Sequence, residues 1–174
     1  MDTLKMVSGN IRLRSLSMDD IPVLTQLANN KKIWVNLRDI FPHPYTEEDA
    51  RIFIRRCMGE NPKLTFAIEY QNSLTGVIGL VLQSDVYRFS AEIGYWIGEP
   101  YWNKGIATRA VNSLVDYGFQ SLHLQRIFTG VFDHNKASQR VLEKCGFTLE
   151  GIASKAIFKN NRFLDEYKYA LTRK

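Results

Sequence analysis

The sequence predicts one α/β domain built on a central mixed, mostly antiparallel sheet of about seven strands, flanked by about four helices. The apolar period changes from two residues to three or four near Gly105, which indicates a strand followed by a helix. A second strand-like run follows this helix, so these two strands should be parallel and joined by a right-handed crossover. Short polar turns separate the other strand-like runs, which is typical of antiparallel hairpins.

The first half of the chain contains two capped helices and the start of the sheet. Residues 1–8 carry little pattern and are predicted to form a loose terminus. Asn and Pro residues interrupt the pattern between the two helices. The predicted elements are a strand over Asn10–Leu16, a helix from Ser17 to Ala28, a helix from Thr46 to Met58, and a strand pair over Leu64–Tyr70 and Gly76–Gln83.

The second half contains the crossover unit, formed by the fourth strand, the third helix and the fifth strand. A short helix and a hairpin with an Asn-Asn turn follow it. The predicted elements are a strand over Glu92–Gly98, a helix over Gly105–Leu122, a strand over Gln125–Phe132, a helix over Asn135–Cys145, and strands over Phe147–Lys159 and Arg162–Thr172. No linker or repeat is visible, so residues 1–174 are predicted to form a single domain.

The composition indicates a cytoplasmic globular protein. The chain has 174 residues, 45% of them hydrophobic and 24% charged, which is ordinary for one domain. No signal-peptide core and no run of about 18 apolar residues is present, so no membrane partner is expected. Cys57 and Cys145 lack the spacing of metal ligands, so we expect no metal. The net charge of +5 suits an anionic ligand, but no basic stripe predicts nucleic-acid binding.

The junction Trp102–Thr108 is the first candidate site. It lies at a predicted helix N-terminus, where unpaired backbone N–H groups and the helix dipole favour an anion such as a phosphate or pyrophosphate. Gly105 lacks a Cβ, so it can adopt a positive φ or let a ligand approach the backbone. A glycine-containing turn that binds nothing is the alternative interpretation.

A second candidate segment is the aromatic loop Lys31–Tyr45, which Pro42 and Pro44 keep from forming one helix. Loops of this kind line sites or anchor themselves in the core. We predict that it lines the substrate side of a site, through Trp34, Arg38 and Tyr45. His43, in the same loop, has two interpretations: a catalytic base or a structural hydrogen-bonding residue.

Three motifs carry a resemblance to a known family. The segment AEIGYWIGEPYWNKGIATRAV resembles the strand, pyrophosphate loop and helix of the GNAT superfamily of N-acetyltransferases. FDHNKASQRVLEKCGF resembles that family's Asn-x-x-Ser helix, and the segment from Gly146 to Tyr169 resembles its terminal hairpin. The chain looks most like the ribosomal-protein N-terminal (RimJ/RimL-like) branch. Dinucleotide, P-loop and H-E-x-x-H motifs are absent from the sequence.

The resemblance implies acetyl-CoA as co-substrate and a set of residues that bind it. Backbone groups near Ile97 would pair with the pantetheine arm, Asn135 would bond its amides, and Ser138 would reach the sulfur. The pyrophosphate loop would consist of Trp102, Asn103, Lys104, Gly105, Ile106, Ala107 and Thr108. Trp102 stands where that loop usually has a Gln or Arg, a departure that affects one side-chain contact and leaves the site of backbone N–H groups intact.

Amine acetylation requires a neutral nucleophile, which a nearby base can provide. Glu92 is the candidate, because strand alternation places it on the same face as Trp96, and the family includes members whose base lies on this strand. In the resembled branch a Glu of the terminal hairpin can serve instead, but Ile157 stands at that place here. Ser138, Tyr95 or Tyr101 would donate a hydrogen bond to the departing thiolate.

The resemblance therefore predicts direct transfer of acetyl from acetyl-CoA to a primary amine, without a covalent enzyme intermediate. A protein N-terminal α-amine is the first candidate acceptor. It is more often neutral at pH 7 than a lysine side chain, roughly 10–17% against one molecule in about 2,500. The alternatives are a small amine (a polyamine, an amino acid or an aminoglycoside) and a non-catalytic acyl-CoA-binding module. The sequence leaves open whether the chain forms a homodimer.

Overall fold

The computed structural model describes residues 7, 8 and 10–174, which form one eight-stranded sheet in the order β1-β2-β3-β4-β5-β6-β8-β7. The strands are β1 Val7–Ser8, β2 Ile11–Arg14, β3 Thr65–Tyr70, β4 Ser73–Leu82, β5 Ser90–Ile97, β6 Arg126–Phe132, β7 Thr148–Lys159 and β8 Arg162–Thr172. Strands β5 and β6 are parallel, and the other neighbours of the described sheet are antiparallel. The predicted α/β fold and its parallel crossover are confirmed.

Five helices flank the described sheet: α1 Ile21–Ala28, α2 Lys31–Trp34, α3 Glu47–Met58, α4 Ile106–Gln120 and α5 Lys136–Lys144. The one-turn helix α2 lies in the loop that the sequence left irregular, and the Asn30 side chain caps it by accepting a bond from the Lys32 amide. The predicted loose terminus lies partly outside the described residues. Its last two residues, Val7 and Ser8, pair with Arg12 and Ile11 as strand β1.

The sheet separates two hydrophobic clusters. The first contains apolar side chains of α4 and α5, and the second contains those of α1 and α3. Strand β5 contributes to both, because successive side chains of a strand point to opposite faces. Ile93 and Ile97 belong to the first cluster, whereas Trp96 packs against the second. We call the face of the sheet that carries Trp96 the acceptor face, after the role predicted for Glu92 on the same face, and the opposite face the α4 face.

Two sequence expectations concern membranes and cysteines. Within the described residues, none of the helices is long and apolar enough to cross a bilayer. Cys57 is buried and Cys145 is half-buried, and neither forms a disulfide. Burial raises the pKa of each thiol to about 11, so both are protonated at neutral pH and pack as small apolar groups.

Candidate active site

The centre of the candidate site is a gap between β5 and β6. The two parallel strands pair over only three residue pairs, from Ser90 with Arg126 to Glu92 with Phe128. Beyond that point β5 stays paired with β4, and β6 stays paired with β8, to the ends of both strands. Their facing inner edges therefore carry backbone groups that no strand of the described sheet satisfies. Such edges accept an extended chain rich in amides.

Hydrogen-bond alternation shows which residues of β5 face this gap. The Gly98 amide donates to the Thr75 oxygen over 2.7 Å, so that pair is bonded across to β4. In an antiparallel ladder the intervening residue directs its backbone groups to the other side. Ile97 therefore presents its N–H to the gap, as its predicted role in pantetheine binding requires.

Trp102 modifies that prediction. Its indole Nε1 donates to the carbonyl oxygen of Ile97 over 2.7 Å. The carbonyl of Ile97 thus already has a partner, and its N–H is the group that faces the gap. The side chain at the unusual first position of the loop ties the loop to the end of β5, which is a structural role that sequence reasoning missed.

The N-terminus of α4 lies at the same end of the gap, because α4 follows the C-terminal end of β5. Gly105 adopts a left-handed conformation (φ 68°, ψ 12°) at the N-cap of this helix, as predicted, and Asn103 also has a positive φ of 61°. A Cβ built on Gly105 would approach only Nη2 of Arg109, at 4.0 Å. The loop is therefore open to a ligand next to the first free amides of the helix.

Two basic side chains flank this loop. The Arg109 guanidinium folds back on it and donates to the carbonyl oxygens of Lys104 (2.9 Å) and Gly105 (3.3 Å). The Lys104 ammonium lies over the ring of Tyr101, 5.3 Å from its centroid. Arg109 was not among the predicted site residues. Its position in the sequence, one helical turn after Gly105, would have indicated that its side chain can reach the loop. Both cations add to the positive potential of the helix end.

The helix α5 contributes polar groups on the α4 face of the sheet. Asn135 caps α5 by accepting a bond from the Ser138 amide over 3.2 Å. The hydroxyls of Ser138 and Tyr95 are 2.8 Å apart, so these two predicted thiolate donors form one hydrogen-bonded pair. Burial raises the pKa of Tyr95 well above its usual value, which keeps it protonated. Tyr101, the third candidate, packs against the first cluster under Lys104.

On the acceptor face, Glu92 forms an ion pair with Arg38. The carboxylate is 19% exposed, and the arginine side chain is 66% exposed. The structure thus brings together the predicted base and a residue predicted to contact the acceptor. The ion pair thus holds the loop Lys31–Tyr45 beside the predicted base.

The rest of the loop is fixed by a buried lysine that the sequence did not indicate. Lys159, at the end of β7, is 4% exposed. Its ammonium lies 3.8 Å from the ring centroid of Trp34 and 2.7 Å from a carboxylate oxygen of Asp39. A cation at an aromatic face with a carboxylate partner is a strong contact when it is desolvated. The loop is therefore held against the terminal hairpin.

One prediction about this loop requires correction, and the structure favours one of the two interpretations of His43. Tyr45 is only 6% exposed and belongs to the second hydrophobic cluster, where its ring packs 5.0 Å from that of Phe41. Burial raises its pKa to about 12, and its contacts serve the core rather than the acceptor side. The ring of His43 packs beside Trp34, at 5.7 Å between centroids, which favours its structural interpretation.

We expect Trp34 and Arg38 to affect the binding of the acceptor and to leave the binding of the co-substrate unchanged. Replacing Trp34 with phenylalanine, which keeps a ring at the Lys159 ammonium, or Arg38 with glutamine should raise the acceptor KM by up to about tenfold, the loss of roughly one contact to a charged group. Affinity for CoA, measured by calorimetry, should stay unchanged. Tyr45→Phe is the control and should alter neither value. Equal losses for acceptor and CoA would show that the loop serves only the fold.

Comparisons with known proteins show what the chain is similar to. The family described as "Acetyltransferase (GNAT) domain" matches residues 10–148. The uncharacterized N-acetyltransferase YnaD of Bacillus subtilis is 35% identical over 128 residues, which are 73% of this chain and 74% of that protein. The spermidine N(1)-acetyltransferase of Escherichia coli is 28% identical over 165 residues, 88% and 81% of the two chains.

A solved structure extends the comparison to the whole fold. RimL, a ribosomal L7/L12 alpha-N-protein acetyltransferase in complex with coenzyme A, superposes with a TM-score of 0.84. It is 25% identical to this chain, and the alignment covers 95% of this chain and 96% of RimL. The similar proteins thus include one that acetylates a protein and one named for spermidine.

Proposed function

The chain belongs to the GNAT acetyltransferase family and is an acetyl-CoA-dependent N-acetyltransferase, and from this premise we propose that its acceptor is the α-amine of a protein N-terminus. One structural observation carries the assignment of the site: the gap between β5 and β6, which ends at the open N-terminus of α4. The likeness to RimL over nearly the whole chain supports the choice of acceptor.

The residues present fit the co-substrate. The N–H of Ile97 and its neighbours along the gap would pair with the amides of the pantetheine arm. The amides from Asn103 to Thr108 would hold the pyrophosphate, and Lys104 and Arg109 would contribute positive charge. Bound acetyl-CoA supplies an activated acyl group on a thiol leaving group.

The two faces of β5 carry the groups for the two halves of the reaction, the base on one face and the hydroxyl donors on the other. Glu92 lies on the acceptor face, and the hydroxyl pair of Tyr95 and Ser138 lies on the opposite face. We propose that Glu92 accepts the proton of the acceptor amine, directly or through a water molecule. An α-amine is already neutral in roughly 10–17% of molecules at pH 7, so it needs less help from a base than a lysine side chain.

On the other face, the departing thiolate has a pKa near 8.5, so it needs little acid assistance. A single hydrogen bond from the Tyr95–Ser138 pair is sufficient. We therefore expect Ser138→Ala and Tyr95→Phe each to lower kcat by about tenfold, the value of one hydrogen bond to a charged group. CoA affinity and acceptor KM should change little. A drop in kcat that comes with a similar loss of CoA affinity would contradict this role.

A small polyamine is the second candidate acceptor. The spermidine N(1)-acetyltransferase of Escherichia coli aligns with 88% of this chain, which is a longer match than that of YnaD. Acceptors of both kinds present a primary amine, and Glu92 would serve as the base for either.

The test is an acetylation screen that measures CoA release. The acceptors are peptides with varied N-termini, the same peptides with blocked N-termini, polyamines and aminoglycosides. We expect the highest kcat/KM with free N-terminal peptides and no reaction with blocked ones. A higher kcat/KM for a polyamine than for every peptide would reject the protein acceptor in favour of the second candidate.

A further inference from the structure

A second carboxylate, that of Glu166 in β8, lies on the acceptor face. Glu92 pairs with Phe128, and Glu166 pairs with Phe132, so the register places both carboxylates on one face of the sheet. The Glu166 side chain leans over Gly130, which lies between those two phenylalanines. A Cβ built on Gly130 would come within 2.0 Å of Oε1 of Glu166.

This position borders the proposed acceptor site. Gly130 lies beyond the last residue pair of β5 and β6, on the β6 side of the gap. Gly130 is two residues further along β6 than Phe128, the partner of Glu92, and this separation corresponds to about 7 Å along the strand. The absence of a side chain at Gly130 leaves the space that the Glu166 carboxylate occupies.

The electrostatic surroundings of the two carboxylates differ. Glu92 is paired with Arg38, whereas Glu166 has a long ion pair with the exposed Lys168, at 4.0 Å. Within the described part of the chain, Glu166 accepts no hydrogen bond, although its side chain is only 21% exposed. An ionised carboxylate can accept about four hydrogen bonds, so a partly buried one with this few partners favours a cationic ligand.

We propose that Glu166 is a specificity-determining residue that binds a second positive charge on the acceptor. This inference rests on the proposed function and narrows its substrate class to amines with another cationic group about 7–10 Å from the reacting nitrogen. In a protein N-terminus, a Lys or Arg side chain in the second or third residue supplies this charge. In a polyamine, a further ammonium group supplies it.

Matched acceptor pairs test the proposal. One pair is a peptide with Lys at its second position and the same peptide with norleucine there. The other pair is spermidine and butylamine. We expect Glu166→Gln to raise KM about tenfold or more for the dicationic member of whichever pair the enzyme uses, and to leave the monocationic member unchanged. Asp116→Asn removes an exposed carboxylate from α4 and is the charge control, with no effect expected on either member.

A second variant keeps the negative charge of Glu166 and changes the position of its carboxylate. Gly130→Ala places a methyl group where the Glu166 carboxylate lies, and the flexible glutamate should shift while the fold persists. It should reproduce the selective rise in KM. Equal effects on both members of a pair, in either variant, would overturn the proposal.

Calorimetry in the presence of CoA separates this inference from the proposed function, because it needs no turnover. Weaker binding of the dicationic acceptor to Glu166→Gln than to the parent supports the role of Glu166, and equal binding overturns it. Failure of every amine to release CoA from acetyl-CoA would count against the proposed function alone.

Discussion

Replacing Gly105 with glutamate should weaken CoA binding by at least about 100-fold, which corresponds to about 2.7 kcal/mol. The left-handed glycine stands at the N-cap of α4, next to the free amides that would hold the pyrophosphate. A carboxylate there adds negative charge beside the phosphates and occupies the space through which they approach. Isothermal titration calorimetry with CoA measures the effect directly.

Gly105→Ala is the matched control for this experiment. Any side chain at a φ of 68° carries a backbone strain of about 1–2 kcal/mol, so both variants should lose similar thermal stability. The alanine variant has no added charge, and it should retain far more CoA affinity than the glutamate variant. A folded Gly105→Glu protein that binds CoA as tightly as the parent would place the phosphate site elsewhere.

Replacing Glu92 with glutamine should lower kcat by about 10²–10⁴, the usual contribution of a general base. The amide is nearly isosteric, and its oxygen can still accept a bond from Arg38, so folding and CoA affinity should persist. The loss should shrink as pH rises, because a larger fraction of the acceptor amine is then neutral without a base. Steady-state rates at saturating acceptor across a pH series measure this.

The variant Arg38→Gln distinguishes two roles of Glu92: accepting a proton, and holding the loop through the ion pair with Arg38. If Glu92 mattered only because it holds the loop, breaking the ion pair from the arginine side would cause the same loss of kcat. We expect Arg38→Gln to act on the acceptor KM instead. A defect of Glu92→Gln that does not depend on pH would remove this residue from proton transfer, and attack by an amine already deprotonated in solution would replace it.

Local periodicity and turn chemistry determine much of the secondary structure of this protein and which side chains share a face of β5. The change of apolar period at Gly105 identified the strand, the helix and the left-handed glycine between them, because both periods follow from backbone geometry within a few residues. The same alternation placed Glu92 with Trp96 and away from Ile93, and the structure confirms these faces. The cap at Asn135 was also readable, since a capping side chain bonds an amide only three residues away.

Tertiary packing alone decided the contacts that shape the acceptor side. Arg38 meets Glu92 across 54 residues of sequence, and Lys159 meets Asp39 across 120. Such pairs depend on which face of the sheet a loop covers, and periodicity within the loop does not encode that choice. For the same reason the sequence predicts Tyr45 on the acceptor side, whereas packing against α1 and α3 places it in the core. The position of Glu166 over Gly130 depends likewise on the register between β6 and β8, which is fixed only when the sheet assembles.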